Sequence, residues 1–115
     1  MAFTHLHVHS EYSLLDGMSR ISEAPEYVKS LGMDSLAITD HGVMFGIVDF
    51  YKSCQKAGIK PIIGCEVYVA ARTRFDKDPE RDRGMFHLIL LAENMTGYKN
   101  LTKIVSIGFT EGFYF

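Results

Sequence analysis

Short apolar stretches of strand type alternate along this chain with amphipathic stretches of helical type, and this alternation limits the possible folds more than any other feature. We predict strands over residues 3–9, 35–39, 61–70 and 85–92. We predict helices between Ser22 and Gly32, between Ile47 and Gly58, and after a cap at Asn94 or Thr96. Strands that alternate with helices favour an α/β fold in which right-handed crossovers join parallel strands.

The connection between the third and fourth predicted strands breaks this pattern, because residues 72–84 are polar and lack helical periodicity. The segment contains five basic and four acidic residues. Interleaved charges of both signs favour a solvated loop over a phosphate-binding role for its arginines, which are Arg72, Arg74, Arg81 and Arg83. The chain also lacks the glycine-rich patterns GxGxxG and GxxxxGK[ST] that cradle phosphates.

Size and composition restrict the class of protein. A chain of 115 residues with 47% apolar residues is long enough for one small domain with a core. The formal net charge of −2 argues against a freestanding basic nucleic-acid clamp. We find neither a signal peptide nor an apolar run of about 20 residues. With its two cysteines, the sequence therefore predicts a cytoplasmic protein with reduced thiols.

The end of the sequence is unusually aromatic. Four aromatic residues fall in the last seven positions, which are Phe109, Phe113, Tyr114 and Phe115. Exposed chain termini normally fray and are polar. We therefore expect the protein to continue beyond residue 115.

Histidines at strands and strand ends are the strongest chemical signal. His7 and His9 are two apart on one predicted strand, so their imidazoles point to the same face. His41 follows the second predicted strand, and His87 lies on the fourth. Because the carboxyl ends of parallel strands meet at one edge of a sheet, we expect these side chains to lie close together.

Two carboxylates complete the predicted cluster. Asp16 lies in the loop after the first predicted strand, and Glu66 lies within an otherwise apolar strand, where a buried carboxylate needs a partner such as a cation. Six donors exceed the roughly four ligands of one tetrahedral zinc, so we predict two or more divalent ions. Mixed nitrogen and oxygen ligands favour Zn, Mn or Fe. Such a site activates bound water for phosphoester hydrolysis and needs no protein nucleophile.

Several neighbouring residues have simpler explanations. His5 lies deeper along the first predicted strand, and we interpret it as a core histidine. Asp40 is predicted to orient a ligand rather than to bind a metal itself. Cys65 faces the opposite side of its strand and is interpreted as a packing residue. His41 could also simply end a strand at a turn.

Three segments carry a resemblance to a known family: HLHVHSEYSLLDG, LAITDHGVMFGIVDFYKSCQKAGIKPIIGCEVYVA and HLILLAENMTGYKNL. They closely resemble the start of the bacterial replicative DNA polymerase III alpha subunits, in the amino-terminal PHP (polymerase and histidinol phosphatase) domain. The resemblance covers essentially the whole chain. It implies the N-terminal part of a distorted (βα)7 PHP barrel with parallel strands and two or three divalent metal ions. It assigns metal-binding roles to His7, His9, Asp16, His41, Glu66 and His87.

The resemblance also implies a parent protein and its partners. Residues 1–115 would be a partial PHP domain, because the rest of the barrel, three further metal ligands and the polymerase palm would follow. The parent would be a DNA-directed DNA polymerase, a nucleotidyltransferase of DNA replication. It would bind DNA at the 3′ end and other replicase subunits, including a proofreading exonuclease and a sliding clamp. A membrane is not among the implied partners.

Three functions stay open from the sequence. A PHP domain with its full ligand set resembles a metal-dependent 3′–5′ exonuclease with a proofreading role. One alternative is a standalone PHP phosphatase that acts on a small phosphate monoester. The other is a non-catalytic PHP scaffold that docks a proofreading exonuclease. The six intact ligands favour the active type, and the chain beyond residue 115 distinguishes the three.

Overall fold

The computed structural model describes residues 2–113 of the chain. Within them, the helices are α1 (Ala24–Ser30), α2 (Ile47–Ala57) and α3 (Met95–Thr110). The strands are β1 (Ser35–Ile38), β2 (Lys60–Ala70) and β3 (Met85–Leu91), and they form one sheet in the order β1-β2-β3. Of the predicted aromatic terminus, Tyr114 and Phe115 lie outside the described residues.

Local signals set the ends of the helices. Helix α1 begins after Glu23 rather than after the predicted Ser22 cap. Gly58 ends α2 in a left-handed conformation with a φ of 73°, which a glycine adopts without a Cβ clash. Asn94, the first of the two predicted caps, begins α3 and accepts a hydrogen bond from the Gly97 N–H at 3.0 Å.

Parallel pairing of β1 with β2 confirms the predicted crossover through α2. Ser35 lies opposite Lys60, and Ile38 lies opposite Ile63. The core packs beside these strands, between α1, α2 and β1. It consists of Ile21, Val28, Leu36, Ile38, Ile47, Phe50, Cys54, Ala57 and Ile59. Both cysteines of the chain are free and buried.

Strand β3 pairs antiparallel with β2, so the predicted parallel arrangement holds for β1 and β2 but does not extend to β3. Residues 71–84 form turns and bends rather than a helix. A parallel connection needs a crossover, which is usually helical, whereas a loop can join antiparallel neighbours directly. Tyr68 consequently lies opposite His87, and Glu66 lies opposite Ile89.

The N-terminal segment, residues 3–9, runs beside β1 but does not form the regular strand that its alternation predicts. Ala37 N–H donates to His5 O at 3.0 Å, and Thr39 N–H donates to Val8 O at 2.8 Å. These acceptors are three residues apart whereas the donors are two apart, so the segment bulges. The Thr39 hydroxyl accepts from Val8 N–H at 2.8 Å and takes the place of a backbone partner.

Residues 72–84 are more ordered than the predicted solvated loop. The Arg72 guanidinium donates two hydrogen bonds to the Asp82 carboxylate, at 2.7 and 2.6 Å. Asp82 also accepts from the Asp78 N–H at 2.8 Å. Arg74 donates to Glu111 at the end of α3, at 2.7 Å. Arg72 and Arg74 thus have carboxylate partners among the described residues. The alternation of charge signs along the loop did not predict these pairs.

Several apolar side chains of β3 and α3 remain exposed. They include Phe86, Leu88, Met95, Ile104 and Phe109. None of the helices in residues 2–113 is long and apolar enough to cross a membrane.

We expect Gly64→Ala to destabilise the sheet, because a Cβ at this position would lie 2.6 Å from the Leu90 carbonyl oxygen. The free energy of unfolding should fall by about 1–3 kcal/mol, as for other overpacked sites. Among the described residues nothing lies within 4 Å of a Cβ at Gly84, so Gly84→Ala is the matched control. Urea denaturation of both variants measures the difference, and equal stabilities would contradict this account of β2–β3 packing.

The loop should lose order in acid. Hydrogen bonding to Arg72 holds the pKa of Asp82 below its ordinary value of 3.8. A carboxylate with a lowered folded-state pKa stabilises the fold above its unfolded pKa, and this contribution disappears as the pH falls through the folded value. Below pH 3.8 the Asp78 N–H should therefore exchange its hydrogen faster relative to its intrinsic rate. Asp82→Asn should abolish this pH dependence, and its persistence in the variant would refute the role of Asp82.

Candidate metal centre

Backbone pairing beyond the end of β1 places His41 directly beside Glu66. The Glu66 N–H donates to Asp40 O at 3.0 Å, and the Gly42 N–H donates to Glu66 O at 2.9 Å. These bonds continue the parallel register of β1 and β2 past Ile38. A residue at the carboxyl end of one strand therefore faces a residue inside the next.

The Glu66 carboxylate lies at the centre of the predicted cluster and is 3% exposed. Its Oε2 lies 2.6 Å from His41 Nδ1 and 2.9 Å from His9 Nε2. Its Oε1 lies 3.4 Å from His7 Nε2 and 3.3 Å from His87 Nδ1. Four imidazoles from three separate parts of the chain, the N-terminal segment, the end of β1 and strand β3, thus surround one carboxylate.

Asp16 supplies a second carboxylate at the open side of the cluster. Its Oδ2 lies 2.9 Å from His41 Nε2 and 3.5 Å from His9 Nδ1. Hydrogen bonding to His41 lowers the pKa of Asp16 below its ordinary value. The structure thus brings together all six of the residues that the sequence selected.

The donor atoms form three groups, each with its atoms within 4.8 Å of one another. The groups are His7–His9–Glu66, His9–Asp16–His41 and His41–Glu66–His87. Every group mixes imidazole nitrogen with carboxylate oxygen, a donor set that suits Zn, Mn or Fe.

An unsatisfied oxygen tests whether these residues fit a metal. Glu66 Oε2 is buried, and within the described part of the chain it accepts no hydrogen bond despite two imidazole nitrogens within 3.0 Å. Buried carboxylate oxygens are costly without a partner. His7 Nε2 and His9 Nε2 also face each other at 3.0 Å. Ring nitrogens and a carboxylate oxygen that converge this closely fit a shared cation.

Asp40 accepts hydrogen bonds from serines of the Asp16 loop rather than from an imidazole. Its carboxylate is 1% exposed and accepts from Ser10 N–H and Oγ–H, both at 2.6 Å, and from Ser13 Oγ–H at 2.7 Å. The Ser13 hydroxyl in turn accepts from the His41 N–H at 3.2 Å. Asp40 therefore fixes the turn that leads to Asp16, and its role in orienting a metal ligand stays a prediction.

His5 differs from its interpretation as a core residue. It is exposed, and its ring lies edge-on to Phe3 at 4.8 Å between ring centres. The N-terminal segment lies at the open edge of β1, so its outer end has no core to enter. His5 also lies outside the three donor groups.

Tyr68 is a site residue that the sequence analysis missed. Its hydroxyl lies 3.0 Å from His41 Nδ1, and its ring is nearly parallel to that of His41 and edge-on to that of His87. Burial and the charge of Glu66 raise the pKa of Tyr68, so the phenol stays protonated at neutral pH. The alternation of side chains along a strand was the available signal, because residues 66 and 68 share one face.

A family model described as the PHP domain matches residues 5–115. The DNA polymerase III subunit alpha of Borreliella burgdorferi is 53% identical over 114 residues, which are 98% of this chain and 10% of that protein. The protein of the same name from Treponema pallidum is 53% identical over 116 residues, which are 100% of this chain and 10% of that protein. The chain thus spans only 10% of the length of these relatives.

A solved structure shares the fold. It is an amidohydrolase from Chromobacterium violaceum with bound sulfate and no metal. The two chains align with a TM-score of 0.62 and 24% identity, over 90% of this chain and 33% of the other. This likeness confirms the predicted α/β fold class, in a neighbour whose fold extends well beyond the matched part.

We expect Asp40→Asn to loosen the Asp16 loop, because an amide nitrogen would face one of three donors. The free energy of unfolding should fall by about 1–3 kcal/mol, the typical cost of an unsatisfied buried polar group. Asp34→Asn, at an exposed position, is the matched control. Urea denaturation measures the stability, and hydrogen exchange at the Asp16 and Gly17 amides reports the loop. Unchanged exchange at these amides would contradict the role given to Asp40.

Proposed function

The chain belongs to the PHP domain family, and from that premise we propose that it is the amino-terminal, metal-binding part of a DNA polymerase III alpha subunit that hydrolyses phosphodiester bonds at DNA 3′ ends. The relatives support the polymerase parent. The candidate metal centre supports the hydrolytic activity, which would make the domain a 3′–5′ exonuclease with a proofreading role.

The observation that carries this proposal is the unsatisfied, buried Oε2 of Glu66 among imidazole nitrogens. Two or three divalent ions would be held by His7, His9, Asp16, His41, Glu66 and His87. When bound, such ions neutralise phosphate charge and lower the pKa of a coordinated water. Zn, Mn or Fe matches the donor atoms.

The residues of the chain then bind and orient rather than attack. Both serine hydroxyls beside the site, Ser10 and Ser13, already donate to Asp40. Burial raises the pKa of Cys65 to about 11, which keeps its thiol protonated and unreactive. Since the serine hydroxyls are hydrogen-bonded and the Cys65 thiol is protonated, we propose that the nucleophile is a water molecule.

The open side of the cluster leaves room for groups from outside residues 2–113. The side chains of His7, Asp16 and His87 are 55%, 54% and 53% exposed. The three further family ligands and the substrate would enter from this side, and the DNA polymerase III relatives favour a DNA strand as that substrate.

Completion of the domain is part of the proposal. Residues 1–115 would form a partial PHP domain, and later parts of the barrel would cover the exposed apolar side chains of β3 and α3. Three further family ligands would come from there, and the polymerase palm would follow. The parent would act in the cytoplasm with other replicase subunits, among them a proofreading exonuclease and a sliding clamp.

We expect Glu66→Gln to lower metal content and hydrolysis together in the full-length protein, because the neutral amide cannot replace the carboxylate charge that would hold the ions. Elemental analysis measures bound Zn, Mn and Fe, and release of a labelled 3′ nucleotide from single-stranded DNA measures hydrolysis. Metal addition should raise the melting temperature of the wild type more than that of the variant. Glu80→Gln, in the exposed loop, is the matched control.

The same experiment separates the alternatives. A wild-type protein without bound metal would refute the proposal. Hydrolysis of p-nitrophenyl phosphate without hydrolysis of DNA would support the phosphatase, and bound metal without either activity would support the scaffold.

A further inference from the structure

The two ring nitrogens of His41 face different neighbours. Nε2 lies 2.9 Å from Asp16 Oδ2, on the side of the His9–Asp16–His41 group. Nδ1 lies 2.6 Å from Glu66 Oε2, on the side of the His41–Glu66–His87 group. A neutral imidazole has one lone pair and one N–H, so His41 can serve only one of the two groups.

The hydrogen-bond geometry at Nδ1 distinguishes its two neighbours. The Tyr68 hydroxyl, at 3.0 Å, is positioned to form a hydrogen bond with Nδ1. Glu66 Oε2 is closer, yet among the described residues it accepts no hydrogen bond. The Nδ1 position is therefore paired with the phenol, and the carboxylate oxygen is left for a cation.

The sheet register and two aromatic contacts place the phenol here, although Tyr68 is 42% exposed. Tyr68 lies two residues after Glu66 on β2 and directly opposite His87 on β3. Its ring is within 9° of parallel to that of His41 and lies edge-on to His87, at 4.9 Å between ring centres. A residue fixed by both a sheet register and two aromatic contacts can fix the orientation of its neighbour.

A hydroxyl suits both tautomers of His41, unlike a carboxylate. When Nε2 carries the hydrogen and donates to Asp16, the Tyr68 O–H donates to Nδ1. When the hydrogen resides on Nδ1, the Tyr68 oxygen accepts it and the Nε2 lone pair is free toward Asp16 and His9. Only the ring hydrogen changes its position, the imidazole stays neutral, and the hydroxyl rotates in place.

From this arrangement we propose that Tyr68 is a positioning residue that reserves Nε2 of His41 for the ion position shared with His9 and Asp16. The inference rests on the proposed metal-binding function. Histidine ligands of metals usually donate their other ring N–H to a fixed acceptor, and loss of that acceptor typically costs about 10–100-fold in metal affinity. Glu66 and His87 then serve their ion position without His41.

The test uses the full-length protein and Tyr68→Phe, which keeps the ring and removes only the hydroxyl. Zinc affinity at one position should fall about 10–100-fold, as measured by equilibrium dialysis against a chelator. The melting temperature without zinc should stay close to the wild-type value. Tyr51→Phe, at an exposed position on α2, is the matched control and should bind zinc like the wild type.

A crystal structure of the zinc-loaded wild type, phased by zinc anomalous scattering, gives an independent outcome. We expect the zinc shared with His9 and Asp16 to lie nearest His41 Nε2, with Nδ1 facing Tyr68. Zinc on Nδ1 beside Glu66 would overturn the inference, as would unchanged zinc affinity in Tyr68→Phe. A wild type that binds no zinc, manganese or iron would instead refute the proposed function itself.

Discussion

A buried carboxylate needs a compensating partner. In this structure the buried carboxylate is that of Glu66, and the side chains around it form the candidate metal centre. The residue lies within β2, opposite Ile89 of β3, and is only 3% exposed. His9, His41 and His87 reach it from three other parts of the chain. Its position thus sets the relative placement of the N-terminal segment, the end of β1 and strand β3.

A second buried carboxylate provides a useful contrast. Asp40 lies one residue before His41 and is as well buried as Glu66, but serine and backbone donors satisfy it within the chain. It therefore needs nothing further and serves the architecture of a loop. Oε2 of Glu66 also lies among ring nitrogens, but it accepts no hydrogen bond from the described residues. Burial alone does not distinguish the structural role of Asp40 from the proposed metal-binding role of Glu66. The hydrogen bonds that each carboxylate accepts do distinguish them.

The placement of the site histidines could largely be predicted from the sequence, because the alternation of side chains along a strand is a local property. The spacing of His7 and His9 fixes a common face, and the turn after β1 fixes His41 at a strand end. The loop predicted over residues 72–84 already indicated an antiparallel β3, because a connection without a helix joins antiparallel neighbours directly. The irregular N-terminal segment depends on one distant hydroxyl, that of Thr39.

The remaining failures also arise from contacts between distant positions. Tyr68 resembles any strand tyrosine until the end of β1 places His41 against its hydroxyl. The partners of Arg72 and Arg74 lie 10 and 37 residues away, so charge alternation could not identify them. His5 is exposed because nothing packs against the outer end of its segment in residues 2–113, a property of the assembled sheet rather than of its own sequence.

The shared use of one carboxylate has a thermodynamic consequence for the proposed centre. The two oxygens of Glu66 face different pairs of imidazoles. Occupancy on one side changes the charge and orientation that the other side presents, so successive binding steps are coupled by linkage and the coupling is reciprocal. Such a centre would fill cooperatively or anticooperatively rather than as a set of independent sites.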